Sequence, residues 1–441
     1  MNLVTNGRLI TRDADGKGYY EHGAVAFEGT KIVEVGEEAA LRAKYADAHI
    51  IDAKGGVIMP AFINAHTHIY SALARGLSIV GNNPTNFYEV LDGTWWAIDR
   101  HLMMDGTRAL YIDCIKQGVT TIFDHHAAYC EIPGSLFQIG ESAKKFGIRS
   151  CLCYEVSDRD GEEKCLQAIK ENADFITYCQ KQNDPMLAAM FGGHALFTIS
   201  DKTFDRMVEA NNGRTGYHIH VSEGMNDVYD SLQNYGRRPV QRLQDHGILG
   251  EKTILGHCIH VNTAEMDIIR ETGTMVVNNP ESNMGNAIGI CPVLQLYKRG
   301  ILLGMGTDAY TNDMLESLKV ALCSQRSQNC LPNVGWCEVT DMLFKNNARI
   351  GARYFPDELG VLKAGAAADI IVMDYKPFTP FSDENIDMIF GMTGRQCQTT
   401  IAAGKVLMLD RVLVDIDEEA ENAHILEAAK KLWGDLNHRT Y

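Results

Sequence analysis

Two histidines set two residues apart give the first indication of chemistry in this sequence. In the stretch AFINAHTHIYSALARG, His66 and His68 stand at the end of an apolar run. Residues i and i+2 of a strand point to the same face, so both imidazoles can bind one metal ion. The pair is weak evidence by itself, because two histidines bonded to backbone carbonyls would give the same pattern.

Three further segments contain residue types that bind metals or move protons. HIHVSE contains His218, His220 and Glu223, LGHCIH contains His257, and GMGTDAY contains Asp308. His218 and His220 share a strand face, so spacing alone does not decide between them, although the position nearer the strand end favours His220. A carboxylate placed just past a buried apolar strand, as Asp308 is, needs a strong reason to be there. Three neutral imidazoles and one carboxylate suit Zn²⁺, Fe²⁺ or another first-row ion.

The middle of the chain contains the elements that must position these residues. Short apolar runs, each typical of a buried strand, alternate with helix-like segments such as TAEMDIIRETG, with Thr263 as the expected N-cap and Gly273 at the end. Eight strand-then-helix units predict a parallel (β/α)8 barrel, which typically needs about 250 residues. The runs cover 57–66, 118–125, 149–156, 187–194, 216–221, 253–259, 274–279 and 301–307.

The positions of the polar residues agree with what a barrel of this kind requires. Functional residues in such barrels lie at the C-terminal ends of the strands. The polar residues that end the predicted strands are His66, His68, Asp124, His125, His126, His194, His218, His220, His257, Asn278, Asn279 and Asp308. All except the two asparagines could bind a metal or move a proton, so we expect the active site at this end of the barrel.

The composition excludes several classes of partner. The net charge of −16 would repel nucleic acid or an acidic membrane surface. Apolar stretches all fall short of the roughly 20 residues needed to span a bilayer. The 12 cysteines form no CxxC pair and the first residues show no export signal, so we expect reduced thiols in a cytoplasmic protein.

The motifs together resemble those of the amidohydrolase superfamily: HxH on the first strand, HxxE on the fifth, His on the sixth and TD on the eighth. The resemblance covers nearly the whole chain, including GVLKAGAAADIIVMD and AAGKVLML near the C-terminus. INAHTHIYSALARGL is similar to the branch of cyclic-amidine deaminases and triazine hydrolases. GNNPTNFYEVLDGTWWAIDR, FDHHA, CYEVSDRDGEE and NPESNMGNA resemble the SsnA group, aminohydrolases associated with purine metabolism.

The resemblance implies a fold with two parts. Residues 58–357 would form the (β/α)8 barrel, and residues 1–57 and 358–415 would together form a small β-sandwich domain. Residues 416–441 would form a C-terminal helix. Relatives of this kind are usually dimers, so a homodimer is expected.

The resemblance also implies a ligand set. His66, His68, His220 and Asp308 would bind one divalent metal ion, Zn²⁺ in the first place and Fe²⁺ as the alternative. Relatives with two metals bridge them by a carbamylated lysine on the fourth strand. Here that strand reads GGHALFTIS and has no lysine, so a mononuclear site is expected.

The implied reaction is hydrolytic deamination of a purine-like ring or another cyclic amidine. Metal-bound hydroxide would attack the carbon that bears the amino group, with Asp308 helping to deprotonate the water. Glu223 would serve as the proton shuttle, and His257 would orient the hydroxide. The same groups could open a ring amide or displace chloride. A non-catalytic scaffold is the distant alternative, although such members lose ligands that this chain retains.

The residues expected to contact the small heterocyclic substrate are assigned on weaker evidence. His194 occupies a position that relatives use for this purpose. Arg75, His126 and Asn283 are further candidates, with a structural arginine, a packing histidine and a helix cap as the ordinary alternatives. Relatives often have His-Asn-Pro where this chain has Asn278-Asn279-Pro280. They also often have His-Ala-Pro where this chain has His194-Ala195-Leu196. These two differences put the identity of the substrate in question.

Overall fold

The computed structural model describes residues 1–101, 107–381 and 384–439 of the chain. Its strands are β1 Asn2–Ile10, β2 Tyr19–Glu28, β3 Lys31–Glu37, β4 His49–Asp52, β5 Val57–Pro60, β6 Phe62–Thr67, β7 Val119–His126, β8 Arg149–Tyr154, β9 Leu187–Ala189, β10 Phe191–Ala195, β11 Tyr217–Val221, β12 Ile254–His257, β13 Met275–Asn278, β14 Leu303–Met305, β15 Ile370–Met373, β16 Cys397–Ala402, β17 Lys405–Leu409 and β18 Val412–Leu413.

The helices lie mostly between the strands of the central region. They are α1 Glu38–Lys44, α2 Phe87–Val90, α3 Trp96–Asp99, α4 Ala109–Gln117, α5 Ser135–Phe146, α6 Glu162–Gln182, α7 Asp201–Asn211, α8 Met225–Tyr235, α9 Pro239–Asp245, α10 Thr263–Thr272, α11 Pro280–Gly285, α12 Val293–Lys298, α13 Met314–Asn329, α14 Trp336–Asp341, α15 Asn347–Gly351, α16 Glu384–Phe390 and α17 Glu418–Asn437. Among the described helices, none is both long enough and apolar enough to cross a membrane.

The central strands form a closed parallel barrel. Two parallel ladders, β6-β7-β8-β9 and β10-β11-β12-β13-β14, supply the strands. Only Met190 separates β9 from β10, so these two pieces act as one strand and the total is eight. Bridges between Val156 and Gly193 and between Thr67 and Asp308 join the two ladders. The predicted (β/α)8 barrel is therefore confirmed.

Both ends of the chain contribute to a second sheet of nine strands. Its order is β18-β17-β16-β15-β5-β1-β2-β3, with β4 paired to β1. The pairing of β5 with β15, in which Ile58 faces Val372, joins the N-terminal strands to the C-terminal ones. Buried side chains that include Val25, Phe27 and Ile370 form the apolar core of this sheet. The mixed origin of the sheet is thus observed, and its folding as a separate sandwich domain stays a prediction.

The first predicted strand, residues 57–66, consists of two strands that belong to different sheets. β5 pairs within the nine-stranded sheet, whereas β6 pairs with β7 in the barrel. Both strands are buried throughout, so one continuous apolar run hides the break between them. The chain passes from one sheet to the other at Ala61. The limits of the three predicted units, 1–57 with 358–415, 58–357 and 416–441, stay a prediction.

Helix ends follow the local sequence closely. The side chains of Asn262 and Glu265 form a reciprocal capping box at the start of α10, and Gly273 ends that helix with a φ of 66°. The N-cap is thus one residue earlier than the Thr263 expected from the sequence. Pro239 is the first residue of α9, where its missing N–H costs nothing, and it separates α8 from α9.

Candidate active site and metal centre

Four side chains from three separate barrel strands meet at the C-terminal end of the barrel. His66 lies on β6 and His68 directly after it, His220 lies on β11, and Asp308 lies three residues after β14. All four residues are buried. Each offers one ligand atom, and these four atoms all lie within 4.8 Å of one another. The structure therefore brings together the four residues that the resemblance implies as ligands.

The distances within this group suit one small ion. The Nε2 atom of His68 lies 2.8 Å from Oδ1 of Asp308 and 3.3 Å from Nε2 of His220, while His66 Nε2 is 3.5 Å from the same Asp308 oxygen. A tetrahedral ion with bonds of about 2.0–2.1 Å holds its ligands about 3.3–3.4 Å apart. Among the described residues, His66 Nε2 is buried and has no hydrogen-bond partner. A bound cation would satisfy this nitrogen.

The other nitrogen of each imidazole is held in place by a hydrogen bond. The Nδ1 atoms of His68 and His220 face the backbone oxygens of His125 and His194, at 2.5 and 2.8 Å. His66 Nδ1 instead faces Nε2 of His218 at 2.8 Å. An imidazole that donates through Nδ1 keeps an unprotonated Nε2 for a metal. The geometry therefore separates His220, which points into the group, from His218, which supports His66 from outside it.

Burial keeps two of these rings neutral. It lowers the pKa of His66 to about 3 and that of His220 well below the usual value for a histidine. A metal ligand must be an unprotonated imidazole, so no proton has to be displaced from either ring at neutral pH.

Backbone strain is concentrated around this group. Four non-glycine residues at the strand ends, Ser222, His257, Cys258 and Asp308, have positive φ angles of 49°, 69°, 49° and 54°. Such conformations persist only where surrounding contacts enforce them, and they cluster at functional sites. Asp308 shows these contacts: its N–H donates to the His66 oxygen, and the Ser282 hydroxyl donates to its Oδ2.

Glu223 and His257 stand beside the four-residue group. Nε2 of His257 lies 3.5 Å from Oε1 of Glu223 and 3.9 Å from Oδ2 of Asp308. His257 Nδ1 donates to Asn283 Oδ1 at 2.7 Å, which leaves Nε2 unprotonated and able to accept a hydrogen bond. Burial raises the pKa of Glu223 well above the usual value, and the nearby charge of Asp308 raises it further. An acceptor and a carboxyl group whose burial favours the protonated form thus flank the same point.

A cavity opens directly above these residues. Helices α2 and α3, with the π-helical turn Leu91–Trp95 between them, cover one side of it. The cavity is lined by His68, Tyr70, Leu91, Trp95, Trp96, Glu155, His194, His220, Glu223, Asn286, Asp308 and Ala309. The lining combines polar groups with aromatic rings, as is usual for a site that binds a flat heterocycle.

Of the four predicted substrate contacts, only His194 lines the cavity. Asn283 instead orients His257, and His126 is buried between the rings of Tyr70 and Tyr154. Arg75 lies outside the cavity, where its guanidinium donates to Asp113 at 2.6 Å. The structure therefore does not bring Arg75, His126 or Asn283 to the cavity wall.

Sequence reasoning missed two residues of the site. Glu155 follows the last residue of β8 and faces the cavity, at the same strand-end position that identified the other candidates. It was overlooked because it lies inside the apolar run 149–156, although a carboxylate in such a run was itself a signal. Ser282 gave no comparable signal, because serine is common at helix starts such as that of α11.

Comparisons with known proteins agree with this geometry. The Amidohydrolase family model matches residues 57–407, and the model of an imidazolonepropionase-like composite domain from bacteria matches residues 23–48. The chain is 30% identical to a 5'-deoxyadenosine deaminase of Methanosarcina barkeri, with 98% of each chain covered. It is 31% identical to a 5-methylthioadenosine/S-adenosylhomocysteine deaminase of Thermococcus sibiricus, over 87% of this chain and 89% of the relative.

A solved structure shows the same fold. An adenosine deaminase from Xanthomonas campestris with bound zinc superimposes with a TM-score of 0.85 at 23% identity, with 98% of each chain covered. The family match extends over most of the chain and includes every strand of the barrel. The protein therefore belongs to the amidohydrolase family.

Proposed function

We propose that this protein is a metal-dependent hydrolase that removes an amino group, as ammonia, from a purine-like ring or another cyclic amidine. The observation that carries the proposal is the placement of Glu223 and His257 beside the four-residue group of His66, His68, His220 and Asp308. The deaminases among the relatives act on adenosine derivatives by name, which supports the same class of reaction here.

The four grouped side chains would hold one divalent metal ion. Three imidazoles and a carboxylate are a donor set for Zn²⁺, with Fe²⁺ as the second choice. When bound, the ion supplies a Lewis acid that lowers the pKa of bound water from its far higher value in bulk to about 7. The orphaned Nε2 atom of His66 and the ligand spacing support this assignment.

The remaining groups divide the proton transfers between them. His257 accepts a hydrogen bond through Nε2 and orients the attacking water, while Asp308 takes a proton from it. Glu223 holds a carboxyl proton in its buried position and delivers it to a ring nitrogen. The proton that Asp308 has taken from the water then goes to the departing amine, and the remaining hydroxyl proton returns to Glu223 as the carbonyl forms. Asn283 fixes the ring of His257 from behind, so it acts as a positioning residue.

The same groups would also serve a reaction with another leaving group. Opening of a ring amide, or displacement of chloride, uses the same nucleophile and the same proton donor. The identity of the released product separates these reactions. Ammonia is expected here because both named relatives are deaminases.

The test is a screen of purines, pterins and triazines for ammonia release by the metal-reconstituted protein. Glu223→Gln keeps the shape of the side chain but removes its titrating proton, so kcat should fall by about 10²–10⁴-fold while metal content is retained. Glu209→Gln, at an exposed position on α7, is the matched control and should behave like the parent. His68→Ala should lose metal and activity together.

Two results would reject the proposal. Near-normal turnover by Glu223→Gln would remove Glu223 from the proton transfers. Release of a ring-opened acid or chloride without ammonia would replace deamination by the alternative reaction.

The homodimer implied by the resemblance is retained as a proposal about assembly. Light scattering of the purified protein at micromolar concentration tests it, and a mass equal to one chain would reject it.

A further inference from the structure

Two further polar groups line the cavity. They are the carboxylate of Glu155 and the imidazole of His194, whose Nε2 lies 3.9 Å from Oε2 of Glu155. The other carboxylate oxygen, Oε1, is already engaged by Nδ1 of His125 at 3.0 Å. Both side chains line the cavity, so the Oε2 and Nε2 atoms are the ones available to a bound molecule.

The hydrogen bonds of Thr198 decide which nitrogen of His194 carries the proton. The Thr198 hydroxyl donates to the backbone oxygen of Ala195 at 3.0 Å. Its oxygen therefore accepts the second contact, from Nδ1 of His194 at 2.8 Å. Since a neutral imidazole has only one N–H, the Nε2 atom of His194 is left as an acceptor.

Two acceptors that face each other at 3.9 Å cannot satisfy one another, and Nη2 of Arg159, also 3.9 Å from Oε2 of Glu155, is beyond hydrogen-bond distance. Acceptors that lose water without gaining a donor are costly, so a molecule that fills the cavity gains by bringing N–H groups to this point. The ring centroid of His194 lies 5.6 Å from that of His220, and the other oxygen of Glu155, Oε1, lies 3.5 Å from Nδ1 of His68. The two side chains therefore adjoin the rings of two proposed metal ligands, where a bound heterocycle would meet them.

We propose that Glu155 and His194 form an acceptor pair that selects heterocycles with N–H donors besides those of the leaving amino group. The donors come either from a second exocyclic amino group or from a ring N–H. Trp96, whose ring centroid is 5.9 Å from that of His194, provides the apolar wall beside this pair. The inference rests on the proposed function and narrows its substrate class.

Two pairs of ligands test the proposal by equilibrium calorimetry on the metal-loaded protein. 2,6-Diaminopurine against adenine tests the amino donor, and guanine against 1-methylguanine tests the ring N–H. In at least one pair the donor-bearing member should bind about tenfold or more tightly, because losing it strands two acceptors. Equal binding in both pairs, tighter binding of the donor-poor members, or no binding of any of the four would overturn the proposal.

Variants then assign the preference to these residues. Thr198→Val removes the acceptor that holds His194 in its tautomer, and the preference should shrink to within about threefold. Thr340→Val is the matched control, since Thr340 is equally buried but bonds only backbone oxygens of its own helix. A preference unchanged in Thr198→Val would overturn the tautomer argument.

Glu155→Gln is the second variant and should also reduce the preference. The metal content of this variant is measured together with its ligand binding, because Glu155 also contacts His125 and the proposed metal ligand His68. Binding does not depend on turnover. A donor preference without ammonia release from any ligand would therefore reject the proposed function and leave the acceptor pair in place.

Discussion

His66 Nδ1 lies 2.8 Å from Nε2 of His218, so one imidazole of the metal centre is held by another imidazole. The other two ligand histidines are held by backbone oxygens, which a side-chain substitution cannot remove. His218 is fully buried, and its Nδ1 atom has no hydrogen-bond partner among the described residues. The contact with His66 therefore accounts for the presence of His218 inside the barrel.

We expect His218→Ala to weaken zinc binding by about 10–100-fold, because His66 loses the partner that fixes its ring. His218→Gln should recover part of this loss, since its amide oxygen can accept from His66. Competition with a chromogenic chelator measures the affinity, and His49→Ala, at an exposed position of β4, is the control. Unchanged affinity in His218→Ala would show that His66 needs no such support.

We expect one metal ion per chain. A second group of potential ligands, His68, His125, Glu155 and His220, shares two members with the first. Both ring nitrogens of His125 lie within 3.1 Å of oxygens, those of Glu155, Gly193 and the His218 backbone, so both are already engaged and are not free to bind a second metal ion. Elemental analysis of protein purified without chelator provides the count, and two tightly held ions would contradict this reading.

Much of this site could be predicted because parallel strands end at one edge of the barrel. That rule placed His66, His220, His257 and Asp308 together before any distance was known. It favoured His220 over His218 only as the residue nearer the strand end, because two residues on one strand face differ only in how deep they lie in the barrel. The neighbouring strands set how deep each side chain lies in the barrel. Here His218 contacts His66, whereas His220 contacts His68 nearer the C-terminal end of the barrel.

Other features depended on contacts that a single sequence does not contain. The apolar run 57–66 could not show the passage from the nine-stranded sheet into the barrel, because both of its strands are buried. Arg75 lies close in sequence to the metal-binding strand, yet its side chain turns toward α4 and away from the cavity.

We expect Arg75→Ala to leave kcat/KM within about twofold of the parent value, because the guanidinium pairs with Asp113 outside the cavity. The side chain is 44% exposed, so loss of the ion pair should lower stability by less than about 1 kcal/mol. Steady-state kinetics on the substrate found in the screen checks this. A tenfold rise in KM would return Arg75 to the set of substrate contacts.

The ion pair between Arg149 and Asp369 connects the two sheets. Arg149 begins β8 at the N-terminal end of the barrel, and Asp369 lies directly before β15 of the nine-stranded sheet. Both residues are buried, and the second oxygen of Asp369 accepts from the backbone N–H of Ala403. The pair therefore lies at the opposite end of the barrel from the metal centre, where we expect it to affect stability and leave the chemistry unchanged.

We expect Asp369→Ala to lower the free energy of unfolding by about 3–5 kcal/mol. It removes the carboxylate that is hydrogen-bonded to the buried Arg149 and leaves only Asp357, 4.0 Å from Nη2, as a counter-charge. Asp174→Ala, which breaks an exposed pair with Lys170, is the control and should cost less than about 1 kcal/mol. Urea unfolding of the metal-free protein measures both without a contribution from bound metal. The double variant Arg149→Met/Asp369→Leu should regain most of the loss, since an apolar pair of similar volume removes the stranded charge. If Asp369→Ala were no less stable than Asp174→Ala, the contact would not hold the two sheets together, and the apolar packing between them would have to do so alone.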